Sequence, residues 1–179
     1  MEIVRYKCTT CGEEHEGLPD LSFASPFHFG TVPEAERAKR AKRAILTSDT
    51  CVIDDGDFFV RVCLPIPIRG TQAEFVWGAW VSLSQTNFRR YVEMFKVDPP
   101  DGEGPYFGWF CNNLPGYPET LNLKTQVYLQ KGGKRPLIKL EPTDHPLSVH
   151  QREGIPLSDL MGILGDRLHE SVSCPREAG

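Results

Sequence analysis

The chain has 179 residues, the length of one ordinary domain. Its 40% apolar and 25% charged residues exclude a disordered or coiled-coil chain, and 16 glycines with 15 prolines argue against a helical bundle. The net charge of −4 sets the whole-molecule field against nucleic acid.

In chain order, residues 2 to 7 predict a short strand leading into Cys8. Residues 13 to 32 have no period yet carry Leu18, Leu21, Phe23, Phe27 and Phe29, so this loop is expected to lie pinned on the core. Residues 33 to 45 read as a helix, with Pro33, Glu34 and Glu36 at its start and Lys42 and Arg43 near its end. From Cys51 the period changes to two. Cys51 to Asp54 and Phe58 to Ile68 read as strands joined by a tight turn at Asp54-Asp55-Gly56-Asp57. Pro65 and Pro67 cannot donate ladder hydrogen bonds, which puts that end at a sheet edge. Ala73 to Leu83 is a further strand, with Phe75, Trp77, Ala79, Val81 and Leu83 on one face. Trp77 and Trp80 have opposite parity, so one of them faces away from the main core, under a helix or in an interface.

Gln85 to Lys96 predicts a helix capped by Ser84, with Phe88, Tyr91, Val92 and Phe95 as its apolar stripe. After a loop over 97 to 105, Tyr106 to Cys111 is a short aromatic strand. Leu121 to Leu129 and Leu137 to Leu140 form a hairpin. Asp144 is the expected cap of a helix from Pro146 to Gly154, and a last helix covers Leu157 to Glu170, followed by a frayed tail from 172. The sum is one α+β domain over residues 1 to 171: a largely antiparallel sheet, three to four packed helices and an N-terminal CxxC knuckle.

Cys8-Thr9-Thr10-Cys11-Gly12 is the local motif with the clearest chemistry. Two thiolates separated by two residues can close on one tetrahedral ion, and the glycine lets the backbone turn toward the sulfurs. His15 follows within reach. Structural zinc needs four ligands, so the rest must come from afar, with His145, Cys111, Cys51, His28 and His150 as candidates. Two unligated thiols are the plainer alternative.

The opening residues show no signal peptide and no stretch reaches the length of a membrane span, so the six cysteines read as reduced thiols of a cytoplasmic protein. The basic run from Lys39 to Arg43 reads as a solvated helix face rather than a nucleic-acid patch. The acidic triplet Asp54, Asp55 and Asp57 reads as a turn, its spacing being wrong for an EF-hand. Tyr106, Phe107, Trp109 and Phe110 read as core, while Trp80, Trp109, Asn112 and Tyr117 are candidates for lining a groove. The phosphate-loop, dinucleotide and nucleophile-elbow signatures are absent.

Cys8-x-x-Cys11-Gly12-x-x-His15, Ser48 to Asp54, Phe75 to Leu83, Tyr106 to Trp109, Leu114 to Leu121 and Glu141 to Leu147 resemble the bacterial domain-of-unknown-function family 2199, over about residues 5 to 168. The resemblance implies a bacterial, soluble, single-domain protein and implies no activity. It raises Cys8, Cys11 and His145 among the candidates and lowers the basic stretch and His150.

The function expected from the sequence is a module held by a structural zinc on Cys8, Cys11, His15 and His145, working through contact with a protein partner. One alternative is a metal-dependent hydrolase with Glu13, Glu14 or Asp144 as base. The other is nucleic-acid binding through the helix at 33 to 45.

Overall fold

The computed structural model describes residues 4–7, 12–30 and 44–165. Its body is sheet. Strands β1 (Arg5–Lys7) and β2 (Glu14–Glu16) form a hairpin of their own. Strand β3 (Leu21–Ser22) and the short helix α1 (Phe27–Gly30) follow. Then come β4 (Ala44–Leu46), β5 (Thr50–Ile53), β6 (Asp57–Pro67), β7 (Glu74–Leu83), α2 (Gln85–Met94), β8 (Tyr106–Phe110), β9 (Lys124–Tyr128), β10 (Leu137–Leu140), α3 (Pro146–Glu153) and α4 (Leu157–Leu164).

Strands β6 to β10 run as a meander, each antiparallel to the last. A meander of five strands leaves its first and fifth pointing the same way, so it can close only through a parallel pair. It does so at Leu137↔Cys63, supported by the Cys63 N–H donating to Pro136 O at 2.8 Å. The expectation of a largely antiparallel sheet therefore needs correcting. The sheet is a five-strand barrel extended by β3, β4 and β5, and both β10–β6 and β3–β7 are parallel.

The closing ladder stops after one pair, and the two prolines account for this. Residues 63, 65 and 67 present their backbone nitrogens to the β10 side, and after Cys63 the next two are Pro65 and Pro67, which have no N–H. Gln151 of α3 stands in for the missing strand. Its side-chain amide accepts from Leu140 N–H at 2.8 Å and donates to Ile138 O at 2.7 Å.

The alternation read in the sequence sorts the long β6–β7 ribbon into two faces. Val60↔Val81, Val62↔Ala79, Leu64↔Trp77 and Ile66↔Phe75 face each other inside the barrel and are almost wholly buried. Tyr106, Phe110, Val127, Ile138 and Leu140 complete this core, with Leu147, Ile155, Leu160 and Leu164 packed against it. From α2, Phe88 and Tyr91 are buried, with Phe88 against Phe58 at 5.1 Å, whereas the other half of its expected stripe, Val92 and Phe95, is 43% exposed.

The opposite face of the ribbon carries a second, smaller cluster of Cys51, Ile53, Phe59, Trp80 and Cys111, roofed by Phe23 and Phe29. Trp80 is the tryptophan that faces away from the barrel, and its indole N–H donates to Phe23 O at 3.0 Å. The apolar loop lies on the core as expected, with Leu18, Leu21 and Phe23 packed against the main cluster, and through Phe23 and Phe29 it also covers the outer one. Gly78 makes this possible, because a Cβ there would stand 2.6 Å from Ser22 Cβ on β3.

Asp54 and Asp55, at φ 51° and 56°, turn the β5–β6 hairpin as expected of a tight turn. The helix expected over 33–45 is corrected at its end, since Ala44–Leu46 is a strand paired with β5. The β-branched Ile45 and the partner Cys51–Ile53 satisfy a ladder that a helix would forgo. The rest of that expected helix, the Lys39 to Arg43 run, Cys8, Cys11 and the end of the last helix lie outside the described residues. Among the described residues, no helix is long and apolar enough to cross a membrane.

Replacing Gln151 with Ala leaves the Leu140 N–H and Ile138 C=O without their partners. Chemical denaturation is expected to show a loss of about 2–3 kcal/mol; an unchanged midpoint would mean the barrel seam does not depend on this amide.

Candidate functional site

The expected metal site is only partly within view. The β1–β2 register pairs Lys7 with Glu14, and Gly12, just before β2, sits at φ 76°, a left-handed conformation suited to glycine. His15 lies across from Tyr6, ring centroids 5.6 Å apart. His145 is placed differently from expectation. It, and not Asp144, caps α3: its Nδ1 accepts from Leu147 N–H at 3.1 Å, one residue before Pro146. In a neutral ring that accepts at Nδ1, the proton sits on Nε2, which is buried without a partner. A metal at Nε2 would need the other tautomer and would forfeit the cap.

The remaining ligand candidates are engaged elsewhere. Cys51 and Cys111 are buried in the outer-wall cluster, where burial pushes their thiols up to about 12 and about 11. Cys63 is raised as well, burial again being the main cause. His28 stacks on Phe59 at 6.0 Å, and His150 Nδ1 lies 3.0 Å from the Tyr117 hydroxyl. Among the described residues, no group of three or more His, Cys, Asp and Glu side chains is placed to hold a metal ion.

The outer wall of the barrel offers a more complete arrangement. In β8, Tyr106, Gly108 and Phe110 point inward, which turns Phe107 and Trp109 outward. Both are about 40% exposed (39% and 40%), and their rings meet edge-to-face at 5.1 Å. Two large aromatics side by side on a surface are the kind of exposed apolar patch that calls for an explanation.

A hollow opens on each side of Trp109. One, of about 330 Å³, is lined by His28, Asp57, Phe59, Ser82, Cys111 and Asn122 together with the indole. The other, of about 470 Å³, is lined by Ser82, Leu83, Ser84, Asn87, Phe107 and Gly108 with the same indole. Asn122 holds a left-handed conformation, φ 62°, at the rim of the first hollow.

The wall is braced from behind. Asn112, 2% exposed, accepts from Trp80 N–H at 2.8 Å and donates to Ser25 O at 3.0 Å, tying β7 to the segment that roofs the outer cluster. Thr120, fully buried, donates to Asn112 O at 2.6 Å and accepts from Leu114 N–H at 2.9 Å. Asn113 accepts from Thr120 N–H at 3.2 Å. A loop held by a satisfied buried network is rigid. It fixes where β8 ends and where Asn122 re-enters, since Asn122 N–H donates to Phe110 O at 2.8 Å.

A second brace holds the other side. Arg90 of α2 donates to both oxygens of Glu103, at 3.0 and 2.8 Å, and the Tyr106 hydroxyl donates to the same carboxylate. The helix bearing Asn87 is thereby fixed to the strand bearing Trp109.

The groove expected from Trp80, Trp109, Asn112 and Tyr117 is thus not one surface. Trp109 lines it, Trp80 and Asn112 lie buried beneath the wall, and Tyr117 pairs with His150. Sequence reasoning missed Ser82, Asn87 and Asn122. Strand parity would have turned Phe107, Trp109 and Ser82 outward together, but Asn87 and Asn122 join them only through the fold.

The family described as an uncharacterized protein conserved in bacteria, DUF2199, matches residues 7–155. The chain belongs to this family. Neither a curated protein nor a solved structure matches it. All the residues that line the Trp109 wall fall within the matched span of this DUF2199 chain.

The Glu103 latch gives a pH prediction. Hydrogen bonds from Arg90 and Tyr106 lower its carboxyl from the ordinary 4.5 to about 2. A carboxyl depressed on folding stabilises the fold above its unfolded value and loses that contribution as pH falls toward the folded value. Melting temperatures are therefore expected to fall between pH 4.5 and about 2. Glu103→Gln should flatten this segment of the profile, and an equal slope in both proteins would contradict the latch.

Proposed function

We propose that this chain is a non-catalytic recognition module whose contact surface is the outer barrel wall around Trp109. The single observation that carries this reading is the exposed, braced Trp109 standing between two hollows. Ordered hydrogen-bonding groups around an aromatic anchor are how protein surfaces combine affinity with orientation. Preformed walls also bind at lower entropic cost than mobile ones.

Screening a library of small neutral fragments by two-dimensional proton–nitrogen spectra tests the location. Hits are expected to perturb the Trp109 indole and the side-chain amides of Asn122 and Asn87. Hits that cluster elsewhere, or none at all, would overturn the reading.

A structural zinc on the Cys8/Cys11 loop remains part of the proposal. Its support is the CxxC spacing of the sequence, the β1–β2 pairing and the left-handed Gly12. The capping role of His145 speaks for ligands other than that ring. Elemental analysis of the purified chain is expected to find zinc, lost in the Cys8→Ser/Cys11→Ser variant; a metal-free wild type contradicts it. The hydrolase alternative asks for a carboxylate base in a cleft, and Glu13, Glu14 and Asp144 are all solvent-exposed. The basic run offered for nucleic-acid binding lies outside the described residues, so that alternative draws no support here.

Stability should separate the two outer tryptophans. Trp80→Ala is expected to lose about 3–5 kcal/mol, while Trp109→Ala loses about 1 kcal/mol or less. Comparable losses at both positions would assign Trp109 to packing.

A further inference from the structure

Resting on the recognition surface above, we propose that its ligand is a neutral, polyhydroxylated chain, a glycan, lying across the Trp109 indole with a sugar ring in each hollow. The chemistry of the lining selects this class. Among the described residues, neither hollow is lined by Lys or Arg, and in the first His28 shares the lining with the carboxylate of Asp57, so an anion finds no permanent counter-charge. Lys124, the cross-strand neighbour of Trp109, has its ammonium 3.8 Å from Glu141. A cation would be served by Asp57 on one side of the indole and by no carboxylate on the other.

What the two hollows share is aromatic surface beside hydroxyl and amide groups: Ser82, Ser84, Asn87 and Asn122. These side chains both donate and accept, as sugar hydroxyls do. Ser84 Oγ already accepts from Asn87 N–H at 3.2 Å, which leaves its own hydrogen to donate. The face of a sugar ring is a sheet of C–H groups. It is apolar and weakly positive, and it complements the negative face of an indole. A purely hydrocarbon ligand would cover the ring but strand these amides without partners, at a desolvation penalty. Two hollows in series on either side of one platform match a chain of repeating units better than a single small molecule.

The experiment is a titration of the full chain with neutral hexasaccharides: β-1,4- and α-1,4-linked glucose, and β-1,4-linked N-acetylglucosamine. The readout is tryptophan emission. At least one is expected to give a saturable change with Kd between about 10 µM and 1 mM. Trp109→Ala should weaken it at least about 10-fold. Asn122→Gly keeps the left-handed backbone while removing the amide, and should weaken binding as well. Inorganic polyphosphate and tetralysine serve as charged probes and are expected to leave the emission unchanged. No saturable response to any hexasaccharide up to about 10 mM would overturn the proposal, as would binding indifferent to both variants. Tetralysine or an apolar peptide binding at Trp109 with no saccharide doing so would remove the glycan and keep the recognition surface. Saccharide binding mapped away from the wall would remove both.

Discussion

The antiparallel register between β6 and β7, from Phe58↔Leu83 to Pro67↔Glu74, is the constraint from which the rest of the molecule follows. Side chains along a strand alternate sides, so this one ribbon supplies two surfaces at once. Its even-numbered face on β6 fills a barrel too narrow for anything but side chains. Its other face, with Phe59 and Trp80, becomes a wall that needs a cover of its own, and the segment from Leu21 to Phe29 provides part of it. A slip of one residue would send Trp77 outward and Trp80 inward, exchanging the contents of the two cores.

The wall is the part of the fold where polar groups are most deliberately arranged. Asn112 and Thr120 are buried in the loop that follows β8, and each meets several backbone groups. Such networks stabilise little in net terms but fix geometry, because any displaced member would be left unpaired in a dry environment. With the Arg90–Glu103–Tyr106 latch on the other flank, the network holds Trp109, Asn122 and Asn87 on elements that cannot drift independently. The cysteines inside this wall are protonated thiols in apolar surroundings, which suits packing rather than nucleophilic chemistry.

Much of this was legible from the residues. Period-two alternation located β5 through β7, aromatic content located β8, the opposite parity of Trp77 and Trp80 announced that one indole faces away from the barrel, and Ser84 capped α2 as its type prefers. Barrel closure was not legible, because it depends on a single parallel pair and on a helix glutamine filling a gap left by two prolines. The strands β3 and β4 are too short for any period to register, and Ala44 and Ile45 sat at the end of a sequence that reads equally well as helix. His145 shows a rule misapplied. Asp144 is the better capping type, yet Pro146 fixes the first helical position and therefore makes its immediate predecessor the cap. At the site, Trp109 was singled out by type, while Asn122 and Asn87 came from elements distant in sequence and carried no motif.

The exposure of Trp109, set against the enclosure of Trp77 and Trp80, can be measured directly by acrylamide quenching of tryptophan emission in the wild type and in Trp109→Phe. The wild type should contain one readily quenched component with solvent-shifted emission, and the variant should lack it, leaving two shielded indoles. An emission from the wild type that is uniformly shielded, or a quenchable component that survives the substitution, would contradict an open aromatic platform on the barrel wall.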